Sequence, residues 1–246
     1  EELEKISHNG VKLNQKPDSN RQNLVKYLTL IVPSLDQNNI VGRQLEIERL
    51  HQSLFTGKSA LLVNGIGGMG KTTIVQTYIG SFKNDYSHIV WVEFKDNEDF
   101  KSGLINSPGL LESLCVSNEN TTNEVFNNLV LKLRSITSEK PSLIVLDNLQ
   151  NLPNEFTHFA ERYNWHLLAT SRRQIDSLEQ VDLTTLSSEE TFLLFKKHYK
   201  RQELDDTSIK ALLKLVEYHT LTIEIMAKMA NSRGYNFDKL SNALNN

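Results

Sequence analysis

GIGGMGKTT, residues 65–73, governs how the sequence around it is read. Gly65, Gly70, Lys71 and Thr72 satisfy the phosphate-cradling spacing Gly-x-x-x-x-Gly-Lys-Ser/Thr. Ordinary residue frequencies produce such a match by accident in about 1% of chains this long. The context favours a real site. ALLVN (60–64) just before it is an apolar run, and TTIVQTYIG (72–80) just after it has the composition of a helix. That is the strand–loop–helix setting the motif requires. The bland alternative is a glycine-rich turn between strand and helix. On the functional reading, the backbone amides of Gly68, Met69, Gly70, Lys71, Thr72 and Thr73 face phosphates at a helix N-terminus. Glycine permits the positive φ angles and close approach this needs. The Lys71 ammonium bridges β- and γ-phosphates, and the Thr72 hydroxyl ligates Mg²⁺.

Outward from this stretch, SALLVNG (59–65), HIVWVEF (88–94), SLIVLDNL (142–149) and WHLLATSR (165–172) each carry an apolar run without alternation. Strands buried on both faces belong to a parallel sheet covered by helices. Helical stretches lie between them at about 71–83, 109–116 and 122–136. The expectation is therefore an α/β fold, a P-loop NTPase three-layer sandwich with a parallel sheet. SLEQVDLTTL (177–186) supplies a further strand.

After residue 186 the pattern turns helical. Ser187 and Glu190 have capping-box spacing. Phe192, Phe195 and Tyr199 follow at helical intervals, and Ile209, Leu212, Leu213 and Val216 form an amphipathic stripe. Ile225, Met226, Met229 and Ala230 continue to Gly234, a helix stop. Asn236 caps one more helix with Leu240, Ala243 and Leu244. The expected organisation is a linker or N-terminal flank at 1–37, a nucleotide-binding domain at 38–186 and a small all-helical lid at 187–246. Within the flank, residues 1–23 read as a polar tail. LVKYLTLIV (24–32) reads as a packed helix or the end of an upstream domain.

Two further strand ends carry chemistry. Asp147 closes an apolar strand, where ligand sites of open α/β sheets lie, and fits the carboxylate on the Mg²⁺ side. The next position, where many P-loop ATPases carry an acid that polarises the attacking water, is Asn148. An amide can orient a water but cannot accept its proton, so slow turnover is expected. Asn148 also reads simply as a turn residue. Arg172 follows Thr170 and Ser171. If its strand neighbours the P-loop strand, Arg172 meets the γ-phosphate by a charge-assisted hydrogen bond; otherwise it is a solvated arginine.

Composition narrows the classes. The chain has 246 residues, 39% hydrophobic and 23% charged, with net charge −3. No global field favours nucleic acid or anionic lipid. Cys115 is the single cysteine, which excludes a disulfide framework within the chain and fits a reducing cytoplasm. Nothing approaches 18 consecutive apolar residues, so no membrane span is expected. The chain starts without Met, and a fragment of a longer protein is expected.

NNIVGRQLEIERL (38–50), GIGGMGKTT, VLDNL and ATSRR stand in this order, and the set resembles the STAND class of P-loop ATPases, specifically its NB-ARC-type members. The resemblance covers about residues 38–230. It implies that Ile40 and Val41 border adenine, that Arg43 lies near the nucleotide, and that Arg172 reads the γ-phosphate. It also implies a lid opening with SSEETFLLF (187–195), ATP/ADP and Mg²⁺ as cofactors, flanking effector and sensor modules, and a bacterial defence or regulatory role. One departure is plain. Where the family carries Gly-Leu-Pro-Leu, this chain has HTLTIEI (219–225), with Thr220 in the glycine position and Thr222 in the proline position. The adenine contact of that proline is therefore in question, and His219 does not replace the ADP-sensing histidine of the family's winged-helix unit.

Two functions from different classes remain. One is a signalling switch, in which ADP holds a closed monomer and ATP permits self-association. The other is a motor or loader of the AAA+ kind, which needs steady hydrolysis. A metabolic P-loop kinase is a distant third, because no motif marks a second substrate pocket.

Overall fold

A computed structural model describes residues 24–118, 120–202 and 204–245. The polar stretch 1–23 lies outside the described residues. Six strands form one parallel sheet: β1 (Lys26–Tyr27), β2 (Ala60–Asn64), β3 (His88–Glu93), β4 (Ser142–Asp147), β5 (Trp165–Ser171) and β6 (Glu179–Asp182), in the order β1-β3-β4-β5-β2-β6. Every adjacent pair is parallel. The unalternating apolar runs have the consequence expected of them. All of β4 is buried, and successive residues of β2 enter different cores.

On one face Leu62, Val90, Ile144 and Leu167 pack under α3 (Phe100–Ile105), α5 (Thr122–Arg134) and α6 (Asn154–Arg162). On the other, Leu61, Val63, Val145 and Leu168 pack under α1 (Gln44–Phe55) and α2 (Lys71–Phe82). The helix read at 109–116 is a single turn, α4 (Leu110–Ser113). Left-handed residues bound it on both sides, Gly109 at φ 80° and Cys115 at φ 52°, and an α-helix cannot run through either.

Residues 24–32 do not form a helix. Lys26 and Tyr27 pair with His88 and Ile89, Leu28 is buried, and the Thr29 hydroxyl accepts from the Trp91 N–H at 3.0 Å. Val25, Tyr27 and Thr29 have the β-branched or aromatic side chains that suit an extended edge, and Pro33 removes a donor that a helix would need.

Beyond β6 come α7 (Ser188–His198), α8 (Asp206–Leu215), α9 (Thr220–Arg233) and α10 (Phe237–Asn245), with a core of their own. The Ser187–Glu190 capping box forms in both directions. Gly234 ends α9 at φ 61°, its N–H donating to Ala230. The buried stripe of α9 differs from the one read in the sequence. Ile223, Met226, Ala227 and Ala230 face the core, and Ile225 is exposed. Spacings i, i+3, i+4 and i+7 from Ile223 fit one helical face; Ile225 lies outside that stripe.

Candidate nucleotide site

The sheet's C-terminal edge meets the start of α2 at the glycine-rich loop. Gly65, Gly68 and Gly70 take φ of 154°, 77° and 90°, values L-residues rarely adopt. Gly70 precedes α2, and no side chain caps it. The first-turn N–H groups of Lys71, Thr72 and Thr73 therefore open toward the cleft, as an anion requires. The Lys71 ammonium donates to the Gly65 and Ile66 carbonyls at 2.8 and 2.9 Å. Its pKa is lowered, first by burial and then by the Arg172 charge, with Asp147 opposing.

Asp147 ends β4, buried, in register with Glu93 at the end of β3. The Thr72 hydroxyl donates to its carboxylate at 2.9 Å, and the Thr170 hydroxyl does so at 2.6 Å. β5 lies directly beside β2, so Thr170 pairs with Val63, and Arg172 follows just past Ser171. A cavity of about 420 Å³ unites Lys71, Thr72, Asp147, Asn148 and Arg172. The strand that leads to Arg172 neighbours the P-loop strand, and Arg172 lines the same cavity as Lys71 and Thr72.

Asn148 adopts the left-handed conformation at φ 59°. Its side-chain amide donates to the Phe94 carbonyl at 3.0 Å, and its own N–H donates to the Thr170 hydroxyl at 2.9 Å. It lines the cavity as an anchored turn residue. Glu93, unmarked by any motif, lines the same cavity. Only the pairing of β3 with β4 could bring it there, and pairing is not written in local sequence.

A second cavity, about 260 Å³, adjoins on the far side of Gly70 and includes Ile40, Val41, Arg43, Met69 and Thr73. Ile40 packs on the sheet core and Val41 on the helical core, so this segment joins the two units. Arg43 lines the cavity, but its guanidinium is engaged within the protein. It donates to the Thr184 carbonyl at 2.6 Å and to Glu46 at 2.9 Å.

The C-terminal helical part touches the P-loop directly. His219 caps α9. Its Nε2 donates to the Gly67 carbonyl at 3.0 Å, and its Nδ1 pairs with the Thr222 hydroxyl at 2.8 Å. The Leu221 N–H donates to the Gly68 carbonyl at 3.1 Å. A Cβ on Gly68 would lie 2.6 Å from His219 Cε1 and 2.9 Å from Leu221 Cβ. Gly68 thus serves two needs, a left-handed backbone and room for the start of α9. Thr222 is the third residue of α9, and its hydroxyl pairs with His219 Nδ1.

Comparison with known proteins agrees with this geometry. The model of the NB-ARC domain matches residues 43–205. The chain is 28% identical over 200 residues to the TMV resistance protein N of Nicotiana glutinosa; the match takes in 73% of this chain and 17% of that protein's length. Among solved structures, a Walker-type ATPase of Pyrococcus abyssi superposes with a TM-score of 0.60 at 12% identity, covering 87% of this chain and 74% of the other. The Orc1 protein of Aeropyrum pernix, solved in complex with DNA, superposes at 0.61 with 15% identity, covering 83% and 65%. At these identities the two structures attest the P-loop ATPase fold. No described helix is long and apolar enough to cross a membrane.

Proposed function

This chain belongs to the NB-ARC domain family, and on that premise we propose that it is the ATP/ADP-binding switch module of a larger signalling or defence protein. Residues 38–186 hold the nucleotide and 187–246 act as the lid. Thr72 and Asp147 fit Mg²⁺, being a hydroxyl and a buried carboxylate already within 3.1 Å of each other at the mouth of the phosphate cradle. The ion would neutralise charge on the β- and γ-phosphates. Ile40 and Val41 offer the apolar wall for adenine. Self-association in the ATP state, a cytoplasmic setting and slow hydrolysis complete the reading.

The observation that carries it is the place of Arg172, in one cavity with Lys71, Thr72 and Asp147. A guanidinium there distinguishes nucleotides by their terminal phosphate, and differential affinity for two ligands is what a switch requires. Arg172→Ala is expected to weaken a non-hydrolysable ATP analogue by about 1.5–3 kcal/mol, the range of a hydrogen bond to a charged group, while ADP affinity stays nearly unchanged. Titration calorimetry with both ligands measures this. Equal losses for both return Arg172 to a solvated surface role.

A further inference from the structure

Four residues line both cavities: Gly70, Thr73, Thr220 and Glu224. A nucleotide with its phosphates on Lys71 and its base against Ile40 and Val41 must carry its sugar across the rim these residues form. Gly70 and Thr73 belong to the start of α2; Thr220 and Glu224 stand one turn apart on α9, on one side of the helix. The Thr220 hydroxyl oxygen is buried and has no hydrogen-bond partner among the described residues. Buried polar atoms without partners are uncommon and call for a reason. Glu224 sits near Lys228 and 3.9 Å from His198 Nε2, so its position on the rim is held from the lid side.

A carboxylate beside a triphosphate would repel it, whereas a carboxylate facing a sugar accepts from hydroxyl groups. Acidic side chains recognise ribose in this way in other nucleotide-binding folds. Resting on the nucleotide reading above, we propose that Thr220 and Glu224 are the specificity-determining residues for the ribose diol. The lid then senses the sugar, and the module prefers ribonucleotides to deoxyribonucleotides. Thr220 has a direct part in this: its hydroxyl exists because threonine stands in the glycine position of the family pattern.

The test compares ADP, 2′-deoxy-ADP and 3′-deoxy-ADP by calorimetry on the wild type and on Glu224→Gln, Glu224→Ala and Thr220→Val. The wild type is expected to bind ADP at least about tenfold more tightly than one of the deoxy ligands, the scale of a lost hydrogen bond to a charged group. Glu224→Ala should bring that ratio close to one by weakening ADP more than that deoxy ligand. Glu224→Gln, which keeps size and an acceptor, should retain part of it, and Thr220→Val should reduce it several-fold. Wild-type affinities equal for all three ligands, or a Glu224→Ala loss equal for all three, would overturn the ribose assignment while leaving nucleotide binding intact. Failure of every ligand to bind the wild type would instead overturn the nucleotide reading, and the sugar site with it.

Discussion

The two ends of this site are built by different means. At the phosphate end, backbone does the shaping: one continuous loop with three glycines at positive φ, running straight into α2. At the end proposed for base and sugar, side chains from separate elements converge. Ile40 and Val41 come from before α1, Met69 from the loop, and Thr220 and Glu224 from α9. Backbone recognition is tied to chain order and leaves a spacing that can be quoted. Side-chain convergence depends on how the lid docks, and substitutions there change chemistry without changing the fold. One departure from the family pattern, Thr220, falls at that second end.

The largest effect should therefore appear where backbone and fixed charge act together. Lys71→Ala removes the ammonium that the loop encloses and is expected to weaken ATP by about 2–4 kcal/mol, as when one partner of a buried charge pair is deleted. The stability of the protein should hardly change, because the bonds lost are donations to two loop carbonyls. Calorimetry showing wild-type ATP affinity in this variant would remove the phosphate end from the comparison altogether.

At the lid the expected effect is smaller. His219→Ala deletes one hydrogen bond to Gly67 and the cap on the Thr222 N–H. The Leu221 N–H remains bonded to Gly68. One neutral hydrogen bond contributes about 0.5–1.5 kcal/mol, so release of bound ADP should speed up by about two- to tenfold, with ATP/ADP preference unaltered. A chase of labelled ADP measures it. An unchanged release rate would mean the lid is held by its apolar contacts and not by this latch.

This difference also explains what the sequence could and could not tell. Strands β2 to β5 were legible because burial on both faces removes alternation. The P-loop was legible because its geometry demands glycine at set intervals. Asp147 was legible as the end of an apolar run. The edge strand at Lys26–Tyr27 was not, since two residues carry no periodicity. Helix α6 was missed although Phe156, Phe159 and Ala160 share the helical spacing that buries them. Glu93 and the rim pair on α9 were invisible for a stronger reason. Their meaning arises only from β3 lying beside β4 and from α9 docking on Gly67 and Gly68.

The smallest effect on function is expected at Asn148, and it concerns whether the cradle holds a signal or burns a fuel. Its amide is committed to the Phe94 carbonyl, and its backbone to the left-handed region that asparagine tolerates better than alanine. Asn148→Ala should cost about 1–2 kcal/mol of stability, from a lost hydrogen bond and an unfavourable φ. It should leave turnover within about twofold of the wild type, whose own turnover is expected to lie far below the common range of about 1–10³ s⁻¹. Asn148→Asp should not raise turnover, because the new carboxylate would face the Phe94 carbonyl oxygen where the amide now donates. Steady-state assays at saturating Mg-ATP, with melting curves on the same preparations, separate the two consequences. Brisk wild-type turnover that survives Asn148→Ala but is lost in Glu93→Gln would assign proton transfer to Glu93. The fuel-burning reading would then replace the switch. Slow turnover in all these proteins, with lowered melting in the Asn148 variants, keeps Asn148 as the pin that ties β4 to β3 and the phosphate cradle as the holder of a signal.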